Sequence, residues 1–252
     1  MDLSQIVLVA LVLAGGSLVQ SAAGFGYALF SATLLVLMGF APHAAIPIVA
    51  VAVIAQAVVG IWHHRKELQW GMVFKLTALT MLSLPFGVWV LGMTTELGPE
   101  RVRQMFGAAL LMVLVMLVVL RPRPRDHVPA PWTVAAMCAG GFLSGACGMG
   151  GPPIVLWVMA HRWSNEQTRV TLWAIFALMV LPILVVLSLR FGIEVWEWAG
   201  LSLLFIPAVV VGAIPGIWLG NRIPKPLLRR IAIALLMLIG LFAIGQPLLF
   251  AG

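Results

Sequence analysis

Hydrophobic positions along this chain fall into long runs separated by short polar stretches. The first run covers residues 3–40. As one helix it would be about 57 Å long, against a hydrocarbon core of about 30 Å. It is too long for one crossing and short for two. Inside it lies Ser21-Ala22-Ala23-Gly24-Phe25-Gly26, small residues and glycine around one aromatic. A bilayer tolerates broken helix only where the freed backbone is buried in protein or lines a wet cavity. The pattern therefore predicts a re-entrant hairpin over 3–40 that turns at 24–26. Spans are predicted next at about 44–61, 70–91 and 102–120. Arg121-Pro122-Arg123-Pro124-Arg125-Asp126-His127 then breaks the apolar pattern with prolines and charges.

The second half repeats this order. A run from 132 reaches Gly145-Ala146-Cys147-Gly148-Met149-Gly150, followed by Gly151-Pro152-Pro153. The arm leaving that break, 152–160, would be about 14 Å long and cannot cross. Spans are predicted at about 170–189, 195–219 and 228–249. Matches elsewhere fall near half the chain length. Ala14-Gly15-Gly16 matches Ala139-Gly140-Gly141, and Pro85-Phe86-Gly87-Val88-Trp89 resembles Pro215-Gly216-Ile217-Trp218. The expected domains are a first repeat over 1–120, a linker over 121–131 and a second repeat over 132–252.

Charge decides between two topologies. If both hairpins return to their own side, twelve of the fifteen Lys and Arg residues share one face, and only Arg101, Arg103 and Arg190 lie on the other. If each broken segment crosses once, the faces hold seven and eight. Basic loops gather on the cytoplasmic side, so the hairpin arrangement is expected, with both termini outside. Each half then holds a hairpin plus three spans, an odd number, which inverts one half relative to the other. The expected fold is an all-α polytopic membrane protein of two inverted repeats, each a re-entrant or broken helical hairpin plus three transmembrane helices.

Composition agrees. The chain is 62% hydrophobic and 9% charged, where soluble domains carry about 25% charged residues. A net charge of +7 favours a basic membrane face or an anionic substrate. The charges form no groove or stripe for nucleic acid. Cys138 and Cys147 are nine residues apart, about 900° on one helix, so they face opposite ways and are expected as free thiols. His63 and His64 have no metal-ligand spacing. The eight acidic residues all fall in or near predicted loops, so no carboxylate proton relay is expected.

The paired glycine breaks, the Gly-Gly-Pro-Pro after the second and the Pro-Gly helices resemble the TauE/SafE sulfite exporter family over essentially the whole chain. That resemblance implies a permease for a small sulfur oxyanion or an organosulfonate. Cys147 stands where a glycine or small aliphatic is more usual in that family.

The breaks also have a physical meaning. Each returning arm starts a helix whose first N–H groups lack intrahelical partners and whose macrodipole carries about +0.5 charge. Two inverted hairpins would aim two such ends at one midplane volume, an anion site without a buried Arg or Lys. Glycine admits a ligand close to the backbone; the alternative is that these glycines only let helices pack. The expected substrate-binding set is Gln20, Ser21, Gly24, Phe25, Gly26, Gln56, Ser144, Cys147, Gly148, Gly150 and Gly151. Pro85, Gly87, Pro215 and Gly216 are expected as gating or hinge positions, with plain kinks as the alternative. No metal or cofactor is expected. The expected function is export of a sulfur-containing anion across the bacterial inner membrane. An uptake permease, or a membrane enzyme or assembly factor, are the alternatives. Expected partners are the small anion and the lipid bilayer, with a homodimer allowed by the sequence.

Overall fold

The structure, a computed structural model, describes residues 1–249 except 55, 56, 59, 60, 63, 64, 121 and 123. The first half begins with α1 (Leu3–Ala23), α2 (Tyr27–Leu37) and α3 (Pro42–Ala52). There follow α4 (Trp70–Met81), α5 (Leu84–Glu96) and α6 (Pro99–Val119). The second half holds α7 (Ala130–Cys147), α8 (Gly151–Met159), α9 (Asn165–Phe191) and α10 (Glu194–Leu201). A 3₁₀ turn over Ser202–Phe205 then leads into α11 (Ile206–Arg222) and α12 (Lys225–Leu249). Among the described residues there is no strand, only an isolated bridge between Arg125 and His161.

Among the described residues six segments are long and apolar enough to cross a bilayer: Leu3–Ala23, Trp70–Glu96, Pro99–Val119, Glu166–Phe191, Glu194–Arg222 and Leu227–Gln246. Large apolar side chains fill the inside, among them Leu13, Ile46, Phe106 and Leu110. They also cover the outside, where Leu189 is 82% and Leu241 55% exposed. Helices apolar all round belong in lipid. The chain is an all-α, multi-pass membrane protein.

Local chemistry sets the ends. Ser164 caps α9 by accepting from the Gln167 N–H at 3.0 Å, and Gly192 ends it at φ 87°. Pro99 opens α6 after Gly98, with Glu100 in the first turn against the positive helix end. Two of the long segments are interrupted. Leu82 and Ser83 separate α4 from α5, and the 3₁₀ turn separates α10 from α11. Of the span expected over 44–61 the structure describes α3, eleven residues and by itself shorter than a crossing, and the remainder includes four residues outside those described.

Packing pairs elements from opposite halves. α1 lies along α11 and α7 lies along α5, while α6 packs on α12, α3 on α10 and α9 on α4. The two long seams depend on residues without side chains. A Cβ on Gly212 would run into the Ala14 carbonyl, and one on Gly216 would meet the Leu18 carbonyl. In the other seam a Cβ on Gly141 would strike the Thr80 carbonyl, and one on Gly145 the Leu84 carbonyl. Hydroxyls close the same seams: Ser17 donates to the Val209 carbonyl at 2.6 Å and Ser83 to the Cys138 carbonyl at 2.6 Å. Close approach through small residues and interhelical hydrogen bonds is what joins helices in lipid, where water drives nothing.

Polar contacts show which loops share an end of the bundle. At one end Glu96 pairs with Arg190, and His43 Nε2 lies 3.9 Å from Glu194 Oε2. At the other end Arg162 grips Asp126 at 2.8 Å, and Arg229 donates to the Leu117 carbonyl at 3.0 Å. The exposed pairs add at most about 1 kcal/mol each, so their value here is as markers. Asp126 and Arg162 flank the second hairpin, so that segment leaves from one end and returns to it. If each broken segment crossed once, all four of these contacts would join opposite faces.

Candidate functional site

Both predicted breaks form tight turns built on left-handed glycine. At the first, α1 stops at Ala23 and Gly24 takes φ 85°, its N–H donating to the Gln20 carbonyl at 2.7 Å. Gly26 follows at φ 109° and α2 begins at Tyr27. At the second, Gly148 takes φ 69° after Cys147, and the Met149 N–H reaches the Leu143 carbonyl at 3.1 Å. The Gly148 N–H donates to the Ser144 carbonyl at 3.0 Å, the single-bond αL closure of a helix end. α8 then begins at Gly151 with Pro152 and Pro153 in its first turn, as expected.

Neither α2 nor α8 has a side-chain cap. Their first turns differ in donor supply. The α2 start is Tyr27-Ala28-Leu29, three N–H groups. The α8 start is Gly151-Pro152-Pro153, where two of three residues have no N–H. The positive end of the dipole is present at both, but hydrogen-bond donors gather at the first tip.

The candidate residues divide by surroundings. Gly24 is exposed, and an added Cβ would meet nothing within 4 Å. Gly148 is half-buried with Ile46 of α3 3.3 Å from its would-be Cβ. Gly26 is buried against Val19 and Leu236. Gly151 faces Phe176, and Phe25 and Gln20 are half-buried. Ser144 is buried and abuts Gly150, which also leaves no room before the Gly140 carbonyl. Gly150 thus holds the two arms of its hairpin together. Ser21 packs on Gly216 in the α1–α11 seam. Gln56 lies outside the described residues, as do His63 and His64.

The depth of the tips departs from a common midplane. Ala22 rests against Gly220, two residues before Arg222 ends α11. The first tip therefore reaches close to the end of the bundle that carries Arg222. At the second tip, Ala146 lies beside Gly87, and α5 continues nine residues to Glu96, about 14 Å. α1 is 21 residues long and α2 only 11, which is what lets the first tip run deep.

The expected hinges meet packed seams. Gly87 is wedged against the Phe142 carbonyl and the Ala146 amide, and Gly216 against α1. Pro85 sits in the first turn of α5 and is exposed; Pro215 lies inside the continuous α11 and is also exposed. Gly87 and Gly216 are points of close helix approach, because only a residue without Cβ fits there.

Cys147 is fully buried and its thiol donates to the Leu143 carbonyl at 3.3 Å, while Cys138 is half-buried. Both are free, as expected. The thiol expected to meet substrate is turned into its own helix. A membrane-permeant maleimide is accordingly expected to modify Cys138 at least about tenfold faster than Cys147, since a thiol must be both ionised and reachable. Faster modification of Cys147, slowed by added sulfite, would put it back on the substrate path.

Sequence reasoning passed over Tyr27, the only tyrosine of the chain. It is 2% exposed, and its hydroxyl has no partner among the described residues. Ser31, one turn further along α2, is fully buried with an equally unpartnered hydroxyl. The signal was a lone tyrosine directly after the tip glycine.

All eight acidic residues are exposed. Among the described residues no group of three or more His, Cys, Asp or Glu is placed to hold a metal ion. An apolar groove of about 410 Å³ between α2 and α12, lined by Leu34, Leu37, Met38, Leu238, Ile239 and Phe242, has no polar group to hold an anion.

No curated protein and no solved structure matches the chain. The family model described as sulfite exporter TauE/SafE matches residues 7–243, nearly its whole length. With its spans and paired glycine turns, the chain belongs to the TauE/SafE sulfite exporter family of membrane transporters.

Proposed function

We propose that this protein is a bacterial inner-membrane permease that exports a small sulfur-containing anion, sulfite or an organosulfonate, and catalyses no covalent chemistry. The observation that carries the reading is the pair of uncapped helix starts that follow left-handed glycine turns, in a chain whose family match spans 7–243. Uncapped N–H groups and the helix dipole attract an anion without a buried cation. The anion sits between the two tips, nearer the donors of α2.

The same reading includes two inverted repeats, 1–120 and 132–252, joined by 121–131. Exchanged packing supports it: α1 on α11 answers α7 on α5, and α3 on α10 answers α9 on α4. Twelve of fifteen basic residues then face the cytoplasm. A C-terminal reporter that is active only in the cytoplasm is expected to stay silent, and strong activity would reverse the orientation.

The transport test uses the purified chain in lipid vesicles, offered sulfite, sulfate, thiosulfate and isethionate in turn. Saturable flux of sulfite or isethionate, above that of protein-free vesicles, is expected. Saturable flux of none of the four would defeat the reading.

A further inference from the structure

We infer that Tyr27 and Ser31 form a hydroxyl subsite inside the first hairpin, which donates two hydrogen bonds to oxygens of the transported oxyanion. The inference rests on the permease reading and goes beyond it, because it assigns substrate recognition to side chains as well as to helix ends.

Three observations converge. The chain carries twelve phenylalanines and one tyrosine. That tyrosine is the first residue of α2, directly after the turn glycine Gly26, and packs among apolar core residues. Phenylalanine would fill the same space without burying a hydroxyl. Both hydroxyls are shut off from solvent and have no partner among the described residues. Buried hydroxyls are nearly always hydrogen-bonded, so two unpartnered ones a turn apart call for a ligand. Finally, the two side chains border the same residue of α1. Gly16 of α1 is flanked by the Ser31 hydroxyl and, 3.2 Å from its would-be Cβ, by the Tyr27 ring. Residues 27 and 31 share a helix face, about 6 Å apart along the axis. Glycine at 16 is what allows both side chains to lie between the arms.

The chemistry fits an oxyanion. Each hydroxyl supplies one donor, and no acid lies inside the bundle to compete for it, since all eight are exposed. The partner must bring at least two accepting oxygens on one centre, as sulfite and sulfonates do. The second hairpin lacks the equivalent, since a shift of 124 residues from Gly24 to Gly148 puts Gly151 and Val155 at these places. Its first turn also lacks two N–H donors. Recognition is therefore one-sided, with the first hairpin holding the oxygens.

The test compares Tyr27→Phe, Ser31→Ala and the double variant with the unaltered full chain in vesicles, using sulfite as probe. Each single change is expected to raise KM for sulfite about tenfold, the size of one hydrogen bond to a charged group, with kcat within about twofold. Thermal stability without anion is expected to hold or rise, because an unpaired buried hydroxyl is removed. The stabilisation that sulfite gives the unaltered protein is expected to shrink in both variants. If the unaltered chain transports sulfite and Tyr27→Phe has the same KM and the same sulfite-induced stabilisation, the subsite is wrong while the permease reading stands. If the unaltered chain transports none of the anions above, both fall.

Discussion

Gly24→Leu is expected to insert and fold yet lose at least about nine-tenths of its transport, whereas Gly141→Leu is expected not to fold. The two glycines lie in the same kind of sequence and differ in what surrounds them. At Gly24 the backbone is left-handed, φ 85°, and a Cβ would meet nothing within 4 Å. Leucine there costs about 1–2 kcal/mol of backbone strain, against a stability of roughly 5–15 kcal/mol. The chain survives, but four carbons now stand beside the start of α2. An anion held by α2 N–H groups loses at least one charge-assisted bond, worth about 1.5–3 kcal/mol, or a factor of 10 to 100. Gly148→Leu should act similarly, with added crowding of Ile46. At Gly141 a side chain would drive into the Thr80 backbone carbonyl and the Ser83 hydroxyl. Backbone cannot step aside as a side-chain tip does, so α7 would leave α4 and α5 along their whole seam. Flux per inserted molecule, with detergent-extracted thermal stability as control, reads both. Normal flux from Gly24→Leu would remove the first tip from the path, and normal stability of Gly141→Leu would undo the seam.

The sequence carried the outline because the bilayer allows few choices. Run lengths against about 30 Å of hydrocarbon separate a crossing helix from a short arm, so 152–160 was legible as the nine-residue α8. The turns at 24–26 and 148–150 were legible because glycine is the residue that takes positive φ freely. What the sequence could not separate is two uses of the same residue. Gly24 and Gly148 bend the backbone, while Gly87, Gly145 and Gly216 make room for a neighbouring helix. All read as glycine in an apolar run, and only the position of the partner helix tells them apart. Cys147 shows the same limit: lying in the break by number says nothing of where a side chain points, and its thiol turns back to the Leu143 carbonyl. The depth of the first tip also depends on where α11 ends beside α1, a contact about 200 residues away in the chain.

An imposed potential alone, with equal pH on both sides, is expected to drive net anion movement through the reconstituted protein. The motive is where the carboxylates are. A proton-coupled carrier needs an ionisable group that meets both the substrate region and each side in turn, and inside membranes that role falls to Asp, Glu or His. Here all eight acids are exposed, and Glu96, Asp126 and Glu194 are held to Arg190, Arg162 and His43 at the two ends of the bundle. Nothing acidic stands near Gly24 or Gly148 to carry a proton with the anion. The moving species then keeps its charge. One elementary charge gains about 2.3 kcal/mol over 100 mV, which is roughly a fiftyfold concentration ratio, and a divalent ion gains twice that energy. Outward export from a cell negative inside therefore runs downhill without a coupling ion. Vesicles loaded with sulfite and clamped by a potassium gradient measure the ratio directly, and its slope against potential gives the charge per turnover. A flux that ignores the potential and appears only when a pH gradient is added would show that protons travel with the anion, and would move the search for their carrier to the histidines.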